Sequence, residues 1–170
     1  MGTAAIDLLI SLPILGFAAW GLGRGAGAYL KSRGARIVTC PETGGAAAVD
    51  LAAWRIAGRA IFRQPELRLR SCSERRGRAP CEQPCLRQIE SALDGCRMEA
   101  ILSRWYWSKT CICCGRSFGQ VGRWNHRPCL MSPDLRIIEW TGIAPEHIPQ
   151  TLATHEPVCW TCYVAETHTS

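Results

Sequence analysis

The sequence predicts an α+β protein: one N-terminal transmembrane helix, then a small cysteine-rich domain with short antiparallel strands and two or three helices around a metal site. Three observations carry this reading. Residues 4–23 form a nearly unbroken apolar run, all 11 cysteines follow it, and two Cys-x-x-Cys pairs stand towards the C-terminal end. The remaining composition is ordinary: 47% hydrophobic and 20% charged residues exclude wholesale disorder and collagen-like repeats. A length of 170 residues suits one domain, or one small domain with an appendage.

The apolar run reads AAIDLLISLPILGFAAWGLG, with Asp7 its only charge. As a helix rising about 1.5 Å per residue it would span roughly 30 Å, the thickness of a bilayer's hydrocarbon core. Pro13 is tolerable in such a helix, and Trp20 and Tyr29 suit an interfacial belt. A cleaved signal peptide ending near Ala26-Gly27-Ala28 and a buried core helix are the competing readings. Arg24, Lys31, Arg33 and Arg36 follow the run and no cation precedes it. The positive-inside rule then keeps the following domain in the cytoplasm, with those four residues at the membrane surface. A reducing cytosol would favour metal ligation over disulfides.

The elements after the run follow in order. Residues 36–51 read as a hairpin, with a Pro-Glu-Thr-Gly-Gly turn in which Gly44-Gly45 permits positive φ. LAAWRIAGRAIF is helical, placing Arg55, Arg59 and Arg63 on one face, and the Leu–Arg alternation of residues 67–72 predicts a half-exposed strand. A polar loop over 73–80 leads to a helix from Cys81 to Leu93, with Pro84 in its first turn. Asp94-Gly95 ends it, and a second helix runs from Cys96 to Trp107. Beyond a knuckle at Cys111, a turn at Asn125–Arg127 and a strand over Leu135–Trp140, the last helix begins near Pro157 and carries CWTCYVAETH.

Cys111-Ile-Cys-Cys114-Gly115 and Cys159-Trp-Thr-Cys162 are the strongest motif. Each Cys-x-x-Cys pair can present two thiolates from a tight turn, and four thiolates close a tetrahedral site for Zn²⁺ at about 2.3 Å. Gly115 supplies the flexible position the turn needs. Together with Phe118, these residues resemble a treble-clef or zinc-ribbon domain over about 105–168. The resemblance implies a structural zinc, with the second cysteine pair in the first turn of a helix, and no reaction. Cys113 departs from the pattern and leaves the ligand pairing open. An iron–sulfur cluster is the alternative cofactor. Over the whole chain, Val-Thr-Cys-Pro-Glu-Thr, Cys-Gly and Pro-Val-Cys-Trp-x-Cys resemble bacterial single-pass, cysteine-rich membrane proteins.

A second set, Cys40, Cys72, Cys81 and Cys85 with Cys96 as a spare, is open to three readings: a second metal centre, buried inert thiols, or a redox pair. His155 and His168 could substitute for a sulfur, whereas His126 and His147 read as surface residues and Cys129 as a core thiol. The tryptophans at 105, 107, 124, 140 and 160 read as a compact core around the metal. No Ser-His-Asp order, phosphate loop or His-Glu-x-x-His motif is present.

Charge is uneven: residues 1–78 carry 12 basic and 5 acidic side chains, and 79–170 carry 8 and 9. Without a recognisable nucleic-acid module, the basic half reads as attraction to anionic head groups or solvated surface. The expected organisation is an anchor with basic flank over 1–33, a hairpin–helix subdomain over 34–104 and a zinc subdomain over 105–170. The expected function is a membrane-anchored zinc-binding adaptor, accessory subunit or assembly factor. Its partners would be the lipid bilayer through residues 4–23 and a membrane protein. A membrane-associated redox protein and a membrane-tethered nucleic-acid binder are the alternatives, with nucleic acid the less favoured partner.

Overall fold

The computed structural model describes residues 3–75, 81–119 and 128–169, with side chains from residue 12 to 167 within them. The expected Asn125–Arg127 turn, Trp124 and His126 lie outside the described residues, as does the side chain of His168. The chain forms two compact units, Met1–Gly34 with Asp50–Ser71, and Ala35–Val49 with Cys72–Ser170.

The first unit is built on α1 (Thr3–Ser32) and α2 (Ala53–Ala60). α2 buries Ile56, Ala57 and Ala60 and leaves Arg55 and Arg59 exposed, whereas Arg63, expected on the same helix face, lies beyond the end of the helix. α1 meets it through small residues. Gly21 and Gly25, one turn apart and both buried, lie against Ile61, where an added Cβ would come within 3.3 Å and 3.4 Å of its side chain. Arg24 Nε donates a 3.1 Å hydrogen bond to the Ala60 carbonyl, and the Tyr29 and Trp54 rings lie 4.6 Å apart.

The apolar run is therefore helical, but the transmembrane expectation is corrected. Among the described residues, no helix is long and apolar enough to cross a membrane. From Leu12 onwards α1 carries Pro13, five glycines (16, 21, 23, 25 and 27), Arg24 and Lys31, which dilute its apolar side chains. This overturns the single-pass span and the cell-membrane localisation drawn from it. The bilayer contact through residues 4–23 and the cytosol-based argument against disulfides lose their basis with it.

In the second unit, β1 (Arg36–Thr39) and β2 (Ala46–Leu51) form the expected antiparallel hairpin, with Thr39 opposite Ala46 and Arg36 opposite Val49. β3 (Leu69–Cys72) belongs to the first unit up to Ser71, and Cys72 at its end opens the rest of the second. The helix expected from Cys81 forms only as α3 (Leu86–Ser91). Gln83 takes φ +60° and Pro84 has no N–H to give, so Cys81–Cys85 is a turn that delivers the chain into the helix. α4 (Met98–Trp107) follows.

A second sheet has the order β5–β4–β6, from β4 (Cys129–Met131), β5 (Ile137–Ile138) and β6 (Glu156–Val158). β5 is shorter than expected because Leu135 turns the chain at φ +61° and a 3-10 turn begins at Trp140. α5 (Ile148–Thr154) precedes β6, and α6 (Trp160–Thr169) is the expected terminal helix. Ile37, Leu102, Tyr106, Leu130, Ile148 and Leu152 form one buried core; Cys111, Cys129 and Val158 form another, with Phe118, Trp160 and Tyr163 packed on it.

Candidate metal centre

The knuckle at Cys111 is a closed loop of backbone hydrogen bonds. Cys111 N–H donates to the Arg116 carbonyl and Gly115 N–H to the Cys111 carbonyl, both at 2.8 Å. Gly115 sits at φ +71°, a conformation that glycine adopts without a Cβ penalty. An antiparallel bridge between Thr110 and Ser117 flanks the loop. Ile112 N–H donates to the Pro157 carbonyl at 3.0 Å, which fixes the knuckle beside β6. β6 then leads directly to Cys159, and Cys162 follows in the first turn of α6. Two segments distant in sequence thus bring their cysteines to one point.

The sulfurs of Cys111, Cys114, Cys159 and Cys162 all lie within 4.8 Å of one another. Cys111 Sγ is 3.8 Å from Cys162 Sγ, and Cys114 Sγ is 3.7 Å from Cys159 Sγ. A tetrahedron with metal–sulfur bonds of about 2.3 Å has an edge of about 3.8 Å. A disulfide would need sulfurs about 2.05 Å apart. None of the 11 cysteines is in a disulfide. The spacing suits four thiolates around one cation, and the four cysteines can hold a metal ion such as zinc. Cys113 is exposed and outside this set.

The electrostatics favour thiolate at the buried corner. Burial alone would raise the Cys111 thiol, but N–H groups of Cys159, Cys114 and Cys113 point at its sulfur and bring it down to about 6. The Cys159 N–H lies 3.2 Å from Cys111 Sγ. Cys162 is driven the other way by burial, then by bonding with the Cys159, Cys114 and Cys111 sulfurs. The cluster thus favours a thiolate at Cys111 and a neutral thiol at Cys162.

The other expected residues divide. Cys129 is fully buried, and burial followed by the Glu139 charge raises its thiol to about 12, as expected of a core thiol. His155 Nδ1 lies 2.9 Å from the Thr154 hydroxyl and outside the sulfur set, and His147 is exposed. Trp160 packs at the cluster, Trp105 and Trp140 pack on the other core, and Trp107 is 56% exposed. Of the expected surface cations, Lys31 and Arg33 are exposed and Arg24 bonds Ala60, whereas Arg36 is fully buried in β1 and not part of a solvent-facing flank. Arg33, Arg55 and Arg70 line a shallow cleft of the first unit with Tyr29 and Trp54.

Sequence reasoning missed α5 and β6, the latter being the strand that delivers Cys159. Pro157 inside a run of only three residues hid it, although an edge position tolerates proline. No protein-family model, curated protein or solved structure matches the chain.

Proposed function

We propose that this chain is a zinc-stapled interaction module, serving as an adaptor, accessory subunit or assembly factor, with Zn²⁺ held by Cys111, Cys114, Cys159 and Cys162. The observation that carries the reading is the pair of sulfur–sulfur distances, 3.8 Å and 3.7 Å, matching the edge of a thiolate tetrahedron. Four protein sulfurs fill a tetrahedral shell and leave no open position for a water or substrate, which is the habit of structural rather than catalytic zinc. A knuckle followed by a helix carrying the second pair is also the treble-clef arrangement that the sequence resembles.

In this role the bound metal contributes folding free energy. Thiols release protons to water as metal–sulfur bonds form, and the knuckle is clamped to β6 and α6. The small buried core beside the knuckle, Cys111, Cys129 and Val158, makes such a staple valuable. Full-length protein purified under reducing, anaerobic conditions tests the reading by metal analysis, absorbance and circular dichroism. Zinc bound at this cluster, with loss of structure on chelation or in Cys162→Ser, is expected. Intense visible charge-transfer bands with bound iron would replace zinc by an iron–sulfur centre, and an unchanged fold after complete chelation would end the staple reading. Affinity capture with the tagged chain, compared with Cys162→Ser, tests the adaptor role: partners retained equally by both would defeat it.

A further inference from the structure

The turn after β1 repeats the geometry of the Cys111 knuckle. Cys40 N–H donates to the Gly45 carbonyl and Gly44 N–H to the Cys40 carbonyl, both at 2.8 Å, with Gly44 at φ +69°. Position for position, these are the bonds Cys111 makes with Arg116 and Gly115, around a glycine at φ +71°. The Cys40 sulfur accepts bonds from the Thr43 hydroxyl and from the N–H groups of Thr43 and Glu42. Pro41, which has no N–H, occupies the one position whose N–H the knuckle does not use. Thr43 stands where Cys114 stands in the other knuckle, so a second ligand must come from elsewhere.

Three other cysteines supply candidates. Cys81 Sγ accepts a 3.2 Å bond from the N–H of Gln83, two residues on, as in half a knuckle. Cys85 is buried at the residue before α3. One turn into that helix, Gln88 grips the residue before Cys40 from both sides: Thr39 N–H donates to Gln88 Oε1 at 3.0 Å, and Gln88 Nε2 donates to the Thr39 carbonyl at 2.7 Å. This clamp holds the Cys40 knuckle against the start of α3. Cys72 ends β3, and the Ser73 hydroxyl beside it accepts a 3.0 Å bond from Ala48 N–H in β2. Cys72, Cys81 and Cys40 all lie close enough to Cys85 to act on its thiol electrostatically. These sulfurs are gathered less tightly than the C-terminal four, the one set among the described residues whose ligand atoms all fall within 4.8 Å.

We infer that Cys40, Cys72, Cys81 and Cys85 form a second binding site, for a thiophilic divalent cation of the zinc class, organised around a duplicate of the Cys111 knuckle. Binding requires that the four thiols release their protons to water and that their sulfurs converge on the ion. No oxidant enters, and Cys96 is outside the set, its thiol donating to the Gln88 carbonyl at 3.6 Å.

The test is zinc titration of metal-stripped, full-length protein, followed by thiol alkylation read cysteine by cysteine by mass spectrometry. Two equivalents are expected to bind, with Cys40, Cys72, Cys81 and Cys85 protected from alkylation together. Cys85→Ser is expected to lose one equivalent while the Cys111 set stays protected, and Cys96→Ser to keep both. Because Cys85 is buried, its variant can fail to fold; the wild-type protection map then decides alone. Equal alkylation of these four with and without saturating zinc overturns the inference. Protection confined to the Cys111 set would leave the zinc-staple reading standing and remove this one; protection confined to the Cys40 set would do the reverse.

Discussion

The Tyr106 hydroxyl donates a 2.8 Å hydrogen bond to the backbone carbonyl of Cys129, and both residues are fully buried. α4 and β4 are joined there, one strand away from the strand that leads to Cys159. Tyr106→Phe keeps the ring, and so its contact with Phe118 at 4.9 Å, but leaves a buried carbonyl without this donor. The expected cost is about 1–3 kcal/mol, seen as a lower midpoint in chemical denaturation of the zinc-loaded protein. A midpoint equal to that of the unmodified chain would show that the bond contributes nothing net.

Gly115 offers a sharper test of the knuckle. An added Cβ at φ +71° meets nothing within 4 Å, so any effect of Gly115→Ala comes from backbone strain alone. The left-handed conformation costs an L-residue about 1–2 kcal/mol. Zinc affinity at the Cys111 cluster is accordingly expected to fall by roughly 5- to 30-fold in competition with a chromophoric chelator. Gly142→Ala, also in open space but without a positive φ, is the control and is expected to bind zinc normally.

The pH dependence of the metal-free protein is shaped by Cys111 on the acid side and by Cys129, Tyr106 and Cys162, all raised, on the alkaline side. Cys111 is lowered from 9.0 to about 6, so its folded-state advantage is fully present above pH 9 and is lost as pH falls through about 6. Cys129 is raised from 9.0 to about 12 by burial, and burial also raises Tyr106 above its ordinary 10.0. Both favour the neutral form, so their contributions are complete below about pH 9 and 10 and are lost as pH rises through the folded values. These groups place a stability maximum of the apo chain near pH 9. Urea denaturation across pH 5–11 checks it; a steady rise in stability towards pH 5 would contradict the assignment for Cys111. With zinc bound, proton competition shifts the acid limb, and metal release should accompany unfolding there.

What was legible in the sequence was local chemistry. Cys-x-x-Cys-Gly declares a turn because its glycine and thiols act within five residues, and the hairpin after Arg36 declares itself through Val38, Val49 and Gly44. Cys159 is different: its place beside Cys111 depends on β6 pairing with β4, a contact between chain segments far apart that three residues containing a proline do not advertise. The start of α3 failed for a similar reason. The pattern from Cys81 to Leu93 reads as one helix with Pro84 in its first turn, yet Gln83 at positive φ turns the chain there. The apolar run misled most: counting apolar residues found the helix, but the glycine spacing that packs it on α2 (Gly21 and Gly25) begins inside the counted run and ends beyond it.

The same glycine spacing makes the packing of α1 on α2 testable. At Gly25 an added Cβ would meet Ile61 Cγ1 at 3.4 Å and the Ala57 carbonyl oxygen at 3.5 Å, so a Cβ alone fits and a longer side chain does not. Gly25→Leu must push α2 away or twist α1. Overpacking of this kind costs about 1–3 kcal/mol. It would also disturb the Arg24 bond to Ala60, one residue along the same helix. Two residues back, Gly23 has nothing within 4 Å of an added Cβ, and Gly23→Ala is expected to stabilise α1 by up to about 1 kcal/mol through helix propensity. Hydrogen exchange of the α2 amides separates the outcomes: faster in Gly25→Leu, unchanged or slower in Gly23→Ala. Equal exchange in both variants would mean that α1 and α2 do not pack through this glycine edge. Neither substitution touches a cysteine, so zinc binding by the second unit serves as the internal control and is expected to remain unchanged in both.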